Sequence, residues 1–360
     1  MPAIMEEHDG SREIHFVLPS AEAIDKARLS LLTSLPEHGI GTEKANHHVK
    51  NDIVPGLNRP SQSPNYYGFV TGGATPAATF ADNVVTDADQ NVAVHLPKET
   101  ISTDVEDRAL RMVCELIDLP PNDWLHRTFT TGATASNVLG LACGREYVVA
   151  EAARRRGTSA SVGSDGIVRA MRAAGLEDIQ ILTTVPHSSL LKAASLVGLG
   201  RSCVIDVALS EEEPHVFDLD LLEAHLRKER VASVVSISCA EINTGHFATD
   251  PKAMRKIREL CDRYGAWMHI DAAFGLLARV LPEADEYELI NEGVAGFELA
   301  DSITGDAHKL LNVVSDTSEP PPRAHMHLCS FRLPLTLSSP MTAASFSRNV
   351  CSLAWTSFRM

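Results

Sequence analysis

The chain has 360 residues, of which 44% are hydrophobic and 22% are charged, and its formal net charge is −15. This composition is typical of a folded globular protein and excludes disorder as the dominant state. The acidic balance argues against a broad basic face that binds nucleic acid. The length predicts two domains or one large α/β domain.

The sequence predicts neither a membrane span nor a signal peptide. Its longest apolar stretch, Val231–Ala240, is interrupted by serines and is much shorter than the ~18 residues that a span needs. The first residues have no basic start and no apolar run. The cysteines are scattered, and no two have the C-x-x-C spacing, which predicts reduced core thiols of a cytoplasmic protein.

Helical and strand patterns alternate along most of the chain. A helix is predicted after Ser20, a loop-rich stretch follows from Asn51 to Thr86, and Thr103-x-x-Glu106 predicts a capping box for the next helix. Further helices are predicted at 134–156, 189–197, 219–229 and 252–264, and strands at 179–185, 203–207, 231–238 and 267–270. This order predicts an α/β fold with a mostly parallel sheet and helices on both faces.

The composition changes after Val314. Residues 315–360 contain no Lys, are rich in Ser and Pro, and follow neither the helical nor the strand period. We therefore expect three parts: an N-terminal helical segment at 1–55, a large domain at 56–314, and an irregular tail at 315–360.

Two residues near predicted strand ends have the chemistry of a cofactor site. Lys309 closes Asp306-Ala-His308-Lys309 at the edge of an apolar segment, and a desolvated lysine can form a Schiff base with a carbonyl. Asp271 follows the strand at 267–270, and ligands of parallel sheets bind outside the carboxyl ends of strands. Taken singly, a surface lysine and a helix-capping aspartate are the alternatives.

Two further segments suit the remaining parts of the same ligand. Thr134 and Ser136 lie at the start of a long helix, where N–H groups and hydroxyls can hold a phosphate; an ordinary capped helix is the alternative. His187 follows the strand at 179–185 and could stack on a flat ring or simply bond within its loop. Phosphate, ring face, ring nitrogen and carbonyl together describe pyridoxal phosphate.

Five segments of the chain carry a further signal: FTTGATASNVLGLACGRE, PHSS, NTGxxxTD, HIDAAFG and DSITGDAHKLLNV. Together they closely resemble group II pyridoxal-phosphate-dependent decarboxylases, which include the aromatic amino-acid, glutamate and eukaryotic histidine decarboxylases. The resemblance runs from about Tyr66 to Val313. It implies the large domain of fold type I enzymes, pyridoxal phosphate as cofactor, an L-amino acid as substrate, loss of CO₂ and a homodimer.

The resemblance also implies a role for each matched residue. Lys309 is then the Schiff-base lysine, Asp271 pairs with the pyridinium nitrogen, and His187 stacks on the ring and helps to position the substrate carboxylate. The other implied cofactor contacts are Thr134, Ala135 and Ser136 with His308 at the phosphate, Thr244 near the ring hydroxyl, and Ala273 against the opposite ring face.

Two features depart from the family's pattern. After the lysine, the family usually continues with a Pro-Tyr-Asp-Cys-Gly-like strand, a mobile loop whose tyrosine returns a proton to Cα, and a C-terminal domain. Here Val314 leads into the serine- and proline-rich tail, and no tyrosine follows Tyr287. We therefore expect a chain truncated after Lys309, without the C-terminal domain and with low catalytic competence. The stretch Tyr66–Gly73 matches the substrate-pocket segment only in part, which leaves the substrate open.

Three functions are compatible with these residues. The first is an amino-acid carboxy-lyase, and the second is another fold type I lyase of carbon–carbon bonds, which would share Lys309 and Asp271. The released product, CO₂ or an aldehyde, separates them. The third is an inactive remnant, or a partner of an intact paralogue, which would bind cofactor without turnover. No metal site is expected, because His47-His48 and His325-x-His327 lack neighbouring Cys or carboxylate ligands at zinc spacing.

Overall fold

The computed structural model describes residues 18–59, 63, 66, 68, 72–90 and 95–313, and the backbone of 327–331. The chain divides into two compact units, Met1–Ala74 and Thr75–Met360. The first unit contains helices Ala21–Ser30 (α1) and Thr42–His48 (α2), followed by a π-helical turn Val49–Ile53 and a 3-10 turn Val54–Gly56. The predicted parts 1–55, 56–314 and 315–360 stay a prediction.

The second unit contains the remaining described elements. Its helices are Pro76–Asp87 (α3), Ser102–Leu116 (α4), Ala133–Arg155 (α5), Val162–Asp165 (α6), Ile167–Ala174 (α7), Ser188–Leu196 (α8), Leu219–Leu226 (α9), Pro251–Tyr264 (α10), Glu288–Gly293 (α11) and Ala307–Leu310 (α12). Its strands are His126–Thr130 (β1), Asp178–Thr183 (β2), Val204–Asp206 (β3), Val231–Ser238 (β4), Trp267–Ala272 (β5), Ser302–Asp306 (β6) and His327–Phe331 (β7). Single 3-10 turns occur at Arg201–Cys203, Leu276–Val280, Asp285–Tyr287 and Phe297–Leu299.

The strands form one sheet in the order β1-β7-β6-β5-β4-β2-β3. Neighbouring strands from β3 to β6 pair in parallel, and β7 pairs antiparallel with both β1 and β6. The predicted α/β class with a mostly parallel sheet is therefore confirmed. Parallel pairing places the carboxyl ends of β2, β4, β5 and β6 at one edge of the sheet.

Helices cover both faces of this sheet and create two apolar cores. One core joins α5, α7 and α8 to the sheet, with members such as Leu141, Ala170, Leu190 and Trp267. The other joins α4, α9 and α10 to the opposite face, with members such as Leu110, Leu222, Ile257 and Met268. Successive residues of β5 thus enter opposite cores, as the alternation of side chains along a strand requires.

The predicted capping box of α4 is wrong. The helix begins at Ser102, and Ile101 precedes it without a side-chain capping bond. Glu106 does not reach back along its own helix, because its Oε1 accepts a hydrogen bond of 3.0 Å from the backbone N–H of Phe129. A contact between α4 and β1 thus takes the carboxylate that the local pattern assigned to the cap.

Two stretches contain regular structure that the sequence analysis did not predict. The loop expected at 51–86 includes most of α3, which Thr75 caps by accepting a hydrogen bond from the N–H of Ala78, with Pro76 in the first turn. Pro at that position is a helix-start signal. The tail expected to be irregular contributes β7, which gives backbone partners to both β1 and β6, whose facing edges would otherwise be unpaired.

The described cysteine side chains lie inside the protein. Cys114, Cys143, Cys203, Cys239 and Cys261 are all buried. Burial raises the pKa of the Cys203 thiol to about 11 and that of Cys261 to about 12, so both stay protonated at neutral pH. Within the described ranges, no helix is long and apolar enough to cross a bilayer.

Two glycines let helix α5 lie close against strand β5. A Cβ at Gly144 would lie 2.8 Å from Cδ1 of Trp267, and a Cβ at Gly140 would overlap the ring of His269. Their spacing puts both glycines on the same face of the helix. The absence of side chains at these positions therefore sets the distance between α5 and the strand that ends at Asp271.

Gly144→Val should lower the free energy of unfolding by about 1–3 kcal/mol, because the added atoms overpack a buried contact with Trp267. Urea unfolding followed by circular dichroism measures the change. Gly39→Val is the matched control, since nothing lies within 4 Å of the Cβ position there. Equal stability of the two variants would contradict the close packing of α5 on β5.

Candidate active site at the carboxyl edge of the sheet

Strand ends bring three of the predicted residues to one edge of the sheet. Asp271 on β5 lies opposite Ser238 on β4 and opposite Thr304 on β6. Lys309 belongs to α12, which follows β6 directly, and His187 caps α8 just after β2. Residues far apart in the chain thus share the edge at which parallel α/β sheets bind ligands.

The amine of Lys309 is held by a carboxylate and an aromatic ring. Its Nζ lies 2.9 Å from Oδ2 of Asp306, and the two side chains are only 10% and 3% exposed. The same Nζ lies 3.4 Å from the centroid of the Phe274 ring, a cation–π contact. Both contacts orient the amine at the end of β6 and shield it from bulk water.

Asp271 is a desolvated carboxylate with two hydrogen-bond donors. Its Oδ2 accepts from Nδ2 of Asn137 at 2.8 Å, and its Oδ1 accepts from the N–H of Ala273 at 3.2 Å. Burial raises the pKa of Asp271, with a smaller contribution from Asp306, although the two hydrogen bonds and the charge of Lys309 oppose the rise. A cation beside this carboxylate would stabilise its ionised form.

His187 is fixed by the start of helix α8. Its Nδ1 accepts a hydrogen bond of 3.2 Å from the N–H of Ser189 and lies 2.8 Å from the Ser189 hydroxyl oxygen. Val185, just before this turn, has φ of 40°, which is unfavourable for a β-branched residue. Such strain costs of order 1–3 kcal/mol and is typical of functional loops.

The start of helix α5 offers backbone donors. Gly132 precedes the helix without a side-chain cap, and the N–H of Ser136 bonds to the Gly132 oxygen at 3.0 Å. Ala133, Thr134 and Ala135 come before Ser136 in the first turn, so their N–H groups have no partner within the helix and lie at the positive end of its dipole. Ser136 itself is fully buried, with its Oγ 2.7 Å from Oγ1 of Thr130.

The contacts of Thr244 and the position of His308 do not by themselves indicate their roles. The N–H of Thr244 donates to Oε2 of Glu241 at 2.8 Å, and its Oγ1 accepts from the N–H of His246 at 3.3 Å. Among the described residues, no hydrogen bond joins Thr244 to Asp271. His308 is half-buried beside Lys309 on α12. The predicted roles of Thr244 and His308 stay predictions.

Asn137 and His269 are the residues that sequence reasoning does not single out. Both are fully buried, and Nε2 of His269 lies 3.0 Å from Oδ1 of Asn137. Strand alternation could have indicated that His269 and Asp271 share a face of β5. Helical spacing could likewise have placed Asn137 above Gly140 on the helix face that meets the strand. No cluster of metal-ligating side chains occurs in the described part of the chain.

A family model and the relatives found by sequence comparison point to the same protein family. A model of the pyridoxal-dependent decarboxylase conserved domain matches residues 28–320. The chain is 32% identical over 210 residues to L-2,4-diaminobutyrate decarboxylase of Acinetobacter baumannii, covering 54% of this chain and 38% of that protein. It is 25% identical over 289 residues to tryptophan decarboxylase 1 of Oryza sativa subsp. japonica, covering 79% and 53%.

Solved structures share the fold. The crystal structure of Oryza sativa TDC with PLP and tryptamine superposes with a TM-score of 0.65 at 20% identity, covering 88% of this chain and 61% of that one. At this identity the likeness establishes the fold alone. The chain spans about half the length of the curated relatives it matches.

The ion pair at the site can be tested by stability. Asp306→Asn should lower the free energy of unfolding by about 3–5 kcal/mol, because it leaves the Lys309 amine nearly buried without its counter-charge. Adding Lys309→Met to Asp306→Asn should recover part of the loss. A double-mutant cycle by urea unfolding measures the coupling, and strictly additive changes would contradict a direct interaction of the two side chains.

Proposed function

Because the chain belongs to the pyridoxal-dependent decarboxylase family, we propose that it binds pyridoxal phosphate and decarboxylates an L-amino acid. The observation that carries the proposal is the presence of the Lys309 amine and the desolvated Asp271 carboxylate at the ends of neighbouring strands. Bound pyridoxal phosphate supplies an electrophilic carbonyl and an electron sink for the pair left at Cα when CO₂ departs.

The residues present fit this cofactor at three points. A nearly buried lysine amine is available for covalent attachment. The pKa of Asp271 is raised by burial, so a protonated ring nitrogen would supply the positive charge that favours ionised Asp271. The uncapped start of α5 offers N–H groups to a phosphate, a common anion-binding arrangement.

We assign the other predicted residues to supporting tasks. His187 stacks on the ring and positions the substrate carboxylate, and Ala273 packs on the opposite ring face. Thr134 and the N–H of Ala135 hold the phosphate with His308, and Thr244 lies near the ring hydroxyl. The buried hydroxyl of Ser136, in contact with Thr130, supports a role in fixing the helix start beneath the phosphate.

The names of the relatives support an amino-acid substrate, since they include decarboxylases of L-2,4-diaminobutyrate and of tryptophan. The buried thiols of Cys203, Cys239 and Cys261, which form no disulfide, support a cytoplasmic location. A homodimer is supported by exposed apolar side chains on α3, of which Phe80 is 70% exposed and Val84 50% exposed. Apolar groups of this size on one helix face suit a contact with a second copy.

Covalent labelling tests the proposed cofactor site. The purified chain, mixed with pyridoxal phosphate and reduced with borohydride, should carry the pyridoxyl mass on the peptide that contains Lys309. Mass spectrometry of the digest identifies the labelled lysine. Lys309→Arg keeps a positive charge beside Asp306 and should remove the label. Label on another lysine, or none on the native chain, would refute the site.

Asp271→Asn should weaken the binding of pyridoxal phosphate by about 2–5 kcal/mol, because it removes one partner of a close charge pair in a desolvated site. Fluorescence titration measures the affinity, and release of CO₂ from L-amino acids is measured separately. Unchanged affinity in this variant would remove Asp271 from the cofactor site. An aldehyde product without CO₂ would favour the other lyase reaction, and binding without turnover would favour an inactive chain.

Phe80→Asp should shift the protein from dimer to monomer in sedimentation velocity, because it places a charge within the apolar face of α3. Leu196→Asp is the control, since Leu196 at the end of α8 is also 70% exposed. A native chain that sediments as a monomer at all concentrations would contradict the homodimer.

A further inference from the structure

A chain of hydrogen bonds runs through the apolar core beneath the candidate site. The indole N–H of Trp267 donates to Oγ of Ser302 at 2.8 Å, and the same oxygen lies 2.8 Å from Nδ1 of His269. Nε2 of His269 lies 3.0 Å from Oδ1 of Asn137. Each of these side chains is at most 1% exposed, so water does not compete for their hydrogen bonds.

At Asn137 the chain of hydrogen bonds divides into a first branch that runs to Asp271 and a second branch that runs to Ser189. Nδ2 of Asn137 donates to Oδ2 of Asp271 at 2.8 Å and to Oγ of Ser189 at 3.2 Å. Oγ of Ser189 lies 2.8 Å from Nδ1 of His187. One buried amide therefore connects the two residues to which we assign the ring nitrogen and the ring face.

The charge of Asp271 fixes the direction of every bond in the first branch. An ionised carboxylate only accepts hydrogen bonds, so the amide of Asn137 must turn its NH₂ group towards it. Its oxygen then faces Nε2 of His269, which must carry a proton. Protonated Asp271 would permit the reverse arrangement, with the amide flipped and the proton of His269 on Nδ1.

The core supplies the groups that the ionised state requires. Burial lowers the pKa of His269 to about 4, so the ring is neutral at pH 7 and carries a single proton. With that proton on Nε2, Nδ1 accepts from the hydroxyl of Ser302, whose oxygen in turn accepts from Trp267. No donor or acceptor of these three side chains conflicts with its neighbour.

The second branch fixes the tautomer of His187. The second proton of the Asn137 amide goes to Oγ of Ser189, which leaves the Ser189 hydroxyl to donate to Nδ1 of His187. The N–H of Ser189 donates to the same nitrogen. In the neutral ring of His187 the proton must therefore be on Nε2.

We propose that Asn137 is a positioning residue that sets the ionised state of Asp271 and the tautomer of His187 together, held in that orientation by His269. The proposal rests on the proposed function, since it concerns the residues assigned to the cofactor ring. Gly140 contributes to this orientation, because any side chain at that position would displace the ring of His269.

The tautomers can be measured without cofactor. In ¹⁵N-histidine-labelled chain at pH 7, the ring-nitrogen spectrum should show His269 and His187 protonated at Nε2 and unprotonated at Nδ1. His269→Gln and His187→Gln assign the two signals by their loss. A proton on Nδ1 of His269 would overturn the proposal, because the amide of Asn137 would then be flipped and Asp271 protonated.

Asn137→Asp tests the positioning role of Asn137 in the protein with pyridoxal phosphate bound. The new carboxyl group keeps the oxygen that faces His269 but places a second acid against Asp271. Below the pKa of this pair, the two carboxyl groups share one proton. The charged groups near this pair are Asp306 and Lys309. Because the cofactor phosphate and the lysine amine titrate in both chains, the ratio of the two affinities for pyridoxal phosphate is compared at each pH, and it should change by up to about 10-fold per pH unit across the pKa of the shared proton.

Replacement of His269 provides the control for a merely structural role. His269→Gln can still donate to Oδ1 of Asn137 and should keep cofactor affinity within a few-fold, whereas His269→Phe cannot and should lose most of it. Thermal unfolding of the cofactor-free variants shows whether they are folded. Parallel pH curves for Asn137→Asp and the native chain would overturn the proposal. Failure of the native chain to bind pyridoxal phosphate would instead refute the proposed function, and the tautomers would still test the hydrogen-bond chain.

Discussion

The hydrogen bond between the amide of Asn137 and the carboxylate of Asp271 is the contact on which the candidate site depends. A carboxylate at the buried end of a strand is unfavourable unless donors or a cation compensate its desolvation. Asn137, the N–H of Ala273 and the charge of Lys309 supply part of that compensation. The burial that remains uncompensated raises the pKa of Asp271, and a cationic ligand would supply the missing charge.

The surrounding fold makes this contact possible. Helix α5 approaches strand β5 closely because Gly140 and Gly144 have no side chains where the helix meets His269 and Trp267. The parallel order of β2, β4, β5 and β6 then gathers the strand ends, and the amine of Lys309 lies at the end of β6. The polar chain from Trp267 to Asp271 is therefore a buried network with every side chain satisfied, an arrangement that specifies one geometry.

Local patterns predicted much of this architecture. The strand at Val231–Ser238 was predicted with its observed bounds, because a continuous apolar run is typical of a strand buried on both faces. Helix α5 begins and ends within one residue of its prediction. The capping box at Thr103 failed because a distant backbone N–H takes the carboxylate of Glu106. The pairing of Asn137 with Asp271 spans 134 residues, and no local pattern encodes it. Chemistry alone could place Lys309 and Asp271 in one site, but not the network beneath them.

The ring nitrogen of bound cofactor reports most directly on the ionised state of Asp271. Pyridoxal phosphate labelled with ¹⁵N in the ring would be added to the native chain at pH 7, and the ¹⁵N chemical shift of the ring nitrogen measured. The account predicts a protonated nitrogen, paired with a carboxylate that Asn137 holds ionised. An unprotonated ring nitrogen in the bound cofactor would contradict it.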